Sequence, residues 1–105
     1  MTIQKQIDLV REWGLERNII GINAKATMLS QFKICREETD ELEAAITNYD
    51  HDEITDGIGD TTVTLILLAE LHGISFEDCL QWAYKEIKDR TGDWKGGKYV
   101  KHTTK

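Results

Sequence analysis

No proline interrupts the 105 residues of this chain, and its apolar residues recur every three or four positions almost throughout. That spacing is the signature of amphipathic helices rather than strands. The eight glycines fall at 14, 21, 57, 59, 73, 92, 96 and 97, so long stretches carry no breaker at all. The pattern predicts an all-α fold, an antiparallel bundle of about four helices with short connections.

The first helix is expected over Thr2 to Arg17, with Ile3, Ile7, Val10 and Trp13 or Gly14 on one face. A loop from Asn18 to Ala26 follows, with Gly21 and Asn23 as turn formers. The second helix is expected over Thr27 to Asn48, with Met28, Phe32, Cys35, Leu42, Ala45, Ile46 and Tyr49 as its stripe. Asp50 reads as the cap of the third, with Glu53 completing a capping box. That helix should run to His72 and stop at Gly73. Ser75 and Asp78 open a fourth helix that should reach Thr91, its stripe being Phe76, Cys79, Leu80, Ala83, Tyr84 and Ile87. The Gly- and Lys-rich segment 93–105 reads as a basic C-terminal arm of a single domain spanning 1–105.

A chain this short buries a modest core, so a homo-oligomer, dimer or tetramer, is expected. Its 19 acidic and 13 basic residues give a net charge of −6, which disfavours binding to a nucleic-acid duplex. From Lys85 onward, however, Lys and Arg outnumber Asp and Glu. The two cysteines, Cys35 and Cys79, form neither a disulfide framework nor a zinc motif and read as buried hydrophobes. The N-terminus has no apolar leader, and the apolar run Leu65–Ala69 is too short to cross a membrane. A cytoplasmic protein is expected.

Two acidic clusters carry the chemistry. On the second helix stands Glu37-Glu38-Thr39-Asp40-Glu41, and on the third Glu53, Asp56 and Asp60 recur three and four apart. Such spacing places each set on one helix face. Glu38 lies between the core positions Cys35 and Leu42, at the edge of the apolar stripe. A carboxylate buried there without a partner is costly, and a divalent cation removes the cost. Mg²⁺, a hard ion that prefers oxygen ligands, suits the set, with Mn²⁺ as a substitute. Asp60 lies too far along its helix to be a macrodipole residue. Gly57 and Gly59, each costing about 1 kcal/mol inside a helix, suggest a close approach of backbone, ligand or another helix. No Glu-x-x-His motif, Walker loop, Ser-His-Asp set or Cys-His pair is present.

The combination Glu37-Glu38-x-x-Glu41-Leu42 with Asp56-Gly-Ile-Gly-Asp60 resembles the all-α nucleotide pyrophosphohydrolase superfamily, and within it the small MazG-like proteins. The resemblance extends to Trp13-x-x-x-Arg17, to Gln31 six residues before Glu37, and to Ala44-Ala45-Ile46. It continues through Ala83-Tyr84-x-Glu86-Ile87-x-x-Arg90 and the ending Gly97-Lys98-Tyr99-Val100-Lys101. It implies Mg²⁺-dependent cleavage of nucleoside triphosphates between the α and β phosphates, for house-cleaning or control of nucleotide pools. It also implies substrate sites near subunit contacts.

Carried over, Glu38, Glu41 and Asp60 match ligand positions. The fourth falls on Gly57, a departure for which Asp56, or else Glu53, is the expected substitute. Glu37 is a candidate to orient or deprotonate the attacking water, and is equally readable as an exposed partner of Lys33. Lys85, Lys88, Arg90 and Lys98 are candidates to bind pyrophosphate, and Trp13 and Asn23 to contact the base. Two rival readings stand beside this one. The first is a non-catalytic helical module whose acids bind a structural cation or a basic partner. The second is a hydrolase of another pyrophosphate metabolite, such as phosphoribosyl-ATP or a guanosine alarmone.

Overall fold

A computed structural model of the chain describes residues 1–102. Four helices run in order, α1 (Ile3–Glu16), α2 (Met28–Thr47), α3 (His51–His72) and α4 (Phe76–Ile87), followed by strands β1 (Gly92–Lys95) and β2 (Lys98–Lys101). The fold is mostly helical, as the spacing predicts, with a small sheet that it does not.

Each helix opens on an oxygen-bearing side chain that accepts an otherwise unpaired backbone N–H. Thr2 accepts from Lys5, Thr27 from Ser30, Asp50 from Glu53 and Ser75 from Asp78. The reciprocal capping box forms at Thr27, where the Ser30 hydroxyl accepts the Thr27 N–H. At Asp50 only the aspartate half of the expected box is made, since Glu53 points to solvent. Gly73 ends α3 in the left-handed region at φ 86°, as its place after the last apolar residue predicts.

α3 is the central element and packs against each of the other helices, most extensively against α2. The two are antiparallel: Gln31 of α2 meets Thr64 of α3, and Leu42 meets Gly57. A Cβ at Gly57 would stand 3.0 Å from Leu42 Cδ1 and 3.4 Å from its Cα. The missing side chain therefore lets the helices approach backbone to backbone. Of the close approaches that the sequence suggests, this one is to a neighbouring helix.

A polar clasp ties α4 to the rest. The Arg11 guanidinium of α1 bonds Asp8 Oδ1 and Glu70 Oε2, each at 3.0 Å, and also Glu77 Oε1 of α4. Gln4 donates to the other oxygen of Glu77. These donors hold the Glu77 carboxyl down at about 2, because they favour its charged form.

The hydrophobic core is thin. Its buried apolar members are Ile7, Ile20, Cys35, Ala45, Ile66, Leu67 and Ala69, and α4 contributes none. The Cα radius of gyration is 16.1 Å, against about 13 Å for a compact domain of this length. Several stripe residues are accordingly exposed in the single chain. Phe32, Ile46 and Tyr49 of α2, Leu80 and Tyr84 of α4, and Cys79 all lie open, contrary to the expectation that they are buried.

α4 ends at Ile87 rather than at Thr91, and the expected arm is a hairpin as far as the described residues go; 103–105 lie outside them. Gly96 and Gly97 both have positive φ, 55° and 77°, as a two-residue hairpin turn requires. The strands pair Gly92 with Lys101 and Trp94 with Tyr99. His102 closes the base: its ring nitrogens meet Thr91 Oγ1 and Asp93 Oδ2, each at 2.9 Å, and its N–H donates to the Thr91 carbonyl.

Candidate active site

The α2–α3 pairing brings the two acidic motifs together. Glu38 is half-buried, and it and Asp60 line one cleft of about 860 Å³. The Glu38 carboxyl is held above its usual range, first by burial and then by the negative charges of Glu41, Asp60 and Glu37. Glu41, Glu37 and Asp60 are exposed around it. Burial and crowding both disfavour the charged form, so a cation placed among these oxygens would relieve both.

Asp56 and Glu53 sit nearer the start of α3, are exposed, and are not among the charges that raise Glu38. Gly57 faces Leu42 rather than the acids. Among the described residues, no three His, Cys, Asp or Glu side chains stand close enough to hold an ion as they are placed. The donor chemistry nonetheless fits Mg²⁺, which binds through one or two carboxylates, water and substrate phosphates rather than in a closed protein cage.

Away from the acids, the cleft is apolar. Leu9, Val10 and Trp13 of α1, Ile34 of α2, and Val63 and Leu67 of α3 form its walls, and Ile19 and Ala26 close it from the α1–α2 connection. Walls of this kind with a few polar groups at one end suit a heteroaromatic ring tethered to an anion. Trp13 is 42% exposed, and the Arg17 guanidinium lies over its ring, 4.6 Å from the centroid. Arg17 also donates to the Trp13 carbonyl. The Trp-x-x-x-Arg spacing thus corresponds to a cation–π pair one helical turn apart.

The remaining candidates do not reach this cleft. Asn23 is exposed in the α1–α2 connection, and Lys85, Lys88, Arg90 and Lys98 are exposed on or after α4. Reasoning from sequence gave no role to three neutral polar residues that do line it, Ser30, Gln31 and Thr64. Gln31 is 5% exposed, and its Nε2 donates to the Thr64 carbonyl at 3.3 Å. Gln31 and Thr64 both stand at buried positions, and a polar residue within an apolar stripe was the available signal.

No curated protein and no solved structure matches the chain. The sequence pattern of the MazG nucleotide pyrophosphohydrolase domain matches residues 26–93, which takes in both acidic motifs and the cleft walls of α2 and α3. The chain belongs to the MazG nucleotide pyrophosphohydrolase family.

Proposed function

We propose that the chain is a Mg²⁺-dependent nucleoside triphosphate pyrophosphohydrolase that cleaves between the α and β phosphates to give a monophosphate and pyrophosphate. One observation carries the reading: Glu38, raised by burial and by three neighbouring carboxylates, stands at the acidic end of an apolar cleft in a chain of this family. Glu38, Glu41 and Asp60 would hold the ion. When bound, Mg²⁺ supplies charge neutralisation at the phosphates and acidifies water for attack.

The chain's own residues do the rest. Asp56 or Glu53 would join only by turning toward the acids along α3. Glu37, exposed beside Glu38, orients or deprotonates the attacking water. The apolar walls and Trp13 take the base and keep the reacting phosphate at the acidic end, which is a positioning effect.

The basic residues Lys85, Lys88, Arg90 and Lys98 are exposed. They would bind pyrophosphate if a second copy, or a movement of α4, carried them to a cleft. Assembly into a dimer or tetramer fits the thin core and the open apolar face of α4, where Leu80 is 61%, Tyr84 59% and Ile87 50% exposed. Among the described residues no helix is long and apolar enough to cross a membrane. A cytoplasmic house-cleaning or pool-control role, carried by a single domain, is the physiological counterpart of the reading.

The test is pyrophosphate release from a panel of canonical and modified (deoxy)nucleoside triphosphates, with Mg²⁺ and with EDTA. Metal-dependent release from any member supports the reading. No release from the whole panel by folded protein would overturn it.

A further inference from the structure

The cleft wall contains three neutral polar side chains, Ser30, Gln31 and Thr64. Two have committed hydroxyls. Ser30 Oγ donates to the Thr27 carbonyl while it accepts the Thr27 N–H. Thr64 Oγ1 donates to the Thr61 carbonyl at 2.7 Å. Gln31 alone keeps a free function. Its Nε2 is engaged by the Thr64 carbonyl. That carbonyl can only accept, so the amide is locked with Nε2 toward α3 and cannot turn over without placing two oxygens face to face.

Oε1 has no partner among the described residues. Among the described residues, the one buried side-chain polar atom lacking a partner is Thr61 Oγ1. Gln31 Oε1 is therefore not sealed from solvent, and the residue lines the cleft. Oε1 is a fixed hydrogen-bond acceptor among mostly apolar lining residues.

Its distance from the acids is suitable. Gln31 precedes Glu38 by seven residues, two helical turns or about 10 Å along the same face of α2. On α3, Asp60 and Thr64 line the same cleft one turn apart, about 6 Å along the helix. The span from Glu38 to Gln31 is comparable with the reach from a 5′-phosphate, across the sugar, to the far edge of a base.

We infer that Gln31 reads the base: with its amide locked by the Thr64 carbonyl, Oε1 accepts a hydrogen bond from an N–H on the base edge, so the cleft selects nucleotides that present such a donor there. The inference rests on the proposed placement of the phosphates at Glu38 and Asp60. A site built to bond a substrate N–H rejects the analogue that lacks it far more strongly than an apolar wall rejects a change of shape.

The experiment compares matched pairs of non-hydrolysable α,β-methylene triphosphates by calorimetry in the presence of Mg²⁺. The pairs are cytidine with N4,N4-dimethylcytidine, uridine with N3-methyluridine, and adenosine with N6,N6-dimethyladenosine. At least one pair should differ about tenfold or more in Kd, and Gln31→Met should bring that ratio close to one. A ratio that survives in Gln31→Met would show that bulk or another group reads the base, and would overturn the inference. So would equal affinities within every pair, or no binding by any of them.

Should Gln31→Met fail to fold, the wild-type protein decides by NMR. The Gln31 side-chain amide resonances should shift with the donor member of the preferred pair and not with its methylated partner; equal shifts would refute the assignment. Binding is measured without turnover, so a donor preference in a protein that releases no pyrophosphate would sink the proposed activity and leave the role of Gln31 standing. Turnover without any donor preference would do the reverse.

Discussion

Alanine at the two glycines of α3 should act in opposite directions. Gly57 and Gly59 lie within the same helix, so each gains about 1 kcal/mol of helix propensity on becoming Ala. At Gly59 a Cβ meets nothing within 4 Å, and Gly59→Ala should raise stability by about that amount. At Gly57 the new methyl would stand 3.0, 3.2 and 3.4 Å from Leu42 Cδ1, Cβ and Cα. The outer methyl of Leu42 can swing aside, but its Cβ and Cα move only with α2. Overpacking of this kind costs about 1–3 kcal/mol, which outweighs the propensity gain. Gly57→Ala should therefore lose about 1 kcal/mol, leaving the two variants about 2 kcal/mol apart. Denaturant unfolding at one fixed protein concentration measures both, and the thermal midpoints should differ by about 10 °C. Equal stabilisation by the two substitutions would refute the claim that Gly57 is held bare by helix packing. The same contact implies that Gly57→Glu, which puts a carboxylate where the resemblance implies a fourth ligand, destabilises the protein rather than improving metal binding.

Three further outcomes follow from the charged groups. Because the Glu38 carboxyl is raised in the folded state, the native protein holds its proton more tightly than the unfolded chain does, so stability falls as pH rises through the interval between the two values. Glu38→Gln should be more stable than wild type at neutral pH and should lose that advantage at acid pH; urea titrations at pH 4 and pH 7 would show it. Glu77 is shifted the other way, from 4.5 to about 2. Its contribution is present above the unfolded value and is lost as pH falls toward 2. The shift corresponds to at most about 3 kcal/mol, and with the side chain 32% exposed, solvent screening reduces the expected loss in Glu77→Gln to about 1–2 kcal/mol. His102→Ala should speed amide exchange across Lys98–Lys101 while leaving α2 and α3 protected, since His102 closes the hairpin without touching the core; unchanged exchange would show that the turn alone holds the strands.

The helices were legible because their signals are local. Apolar spacing set α1 to α3 to within a residue or two, and Asp50, Gly73 and Ser75 marked ends through capping chemistry that depends on immediate neighbours. That Glu38 and Asp60 line one cleft was legible for a related reason: motifs on consecutive antiparallel helices must meet if their stripes pack. The hairpin was missed because Gly96-Gly97 was read as part of a basic arm, although the glycine pair between Trp94-Lys95 and Lys98-Tyr99 is itself a turn signal.

What depends on distant partners was not legible. The Arg11 clasp joins residues 59 and 66 positions apart, and no periodicity encodes it. Gly57 was legible as a close approach, but that its neighbour is Leu42 of α2 was not. The exposed stripe residues of α2 and α4 show where spacing overreaches: it names a face able to be buried, and one chain does not supply enough partners to cover it.

The most direct measurement follows the products of a nucleoside triphosphate with Mg²⁺, comparing wild type with Glu38→Gln under conditions where both are shown to be folded. Wild type should release monophosphate and pyrophosphate in equal amounts, EDTA should stop it, and Glu38→Gln should release neither while melting no lower than wild type. Release of diphosphate and inorganic phosphate instead, or undiminished pyrophosphate release by Glu38→Gln, would contradict the assignment of Glu38 and the acids around it as the reacting centre.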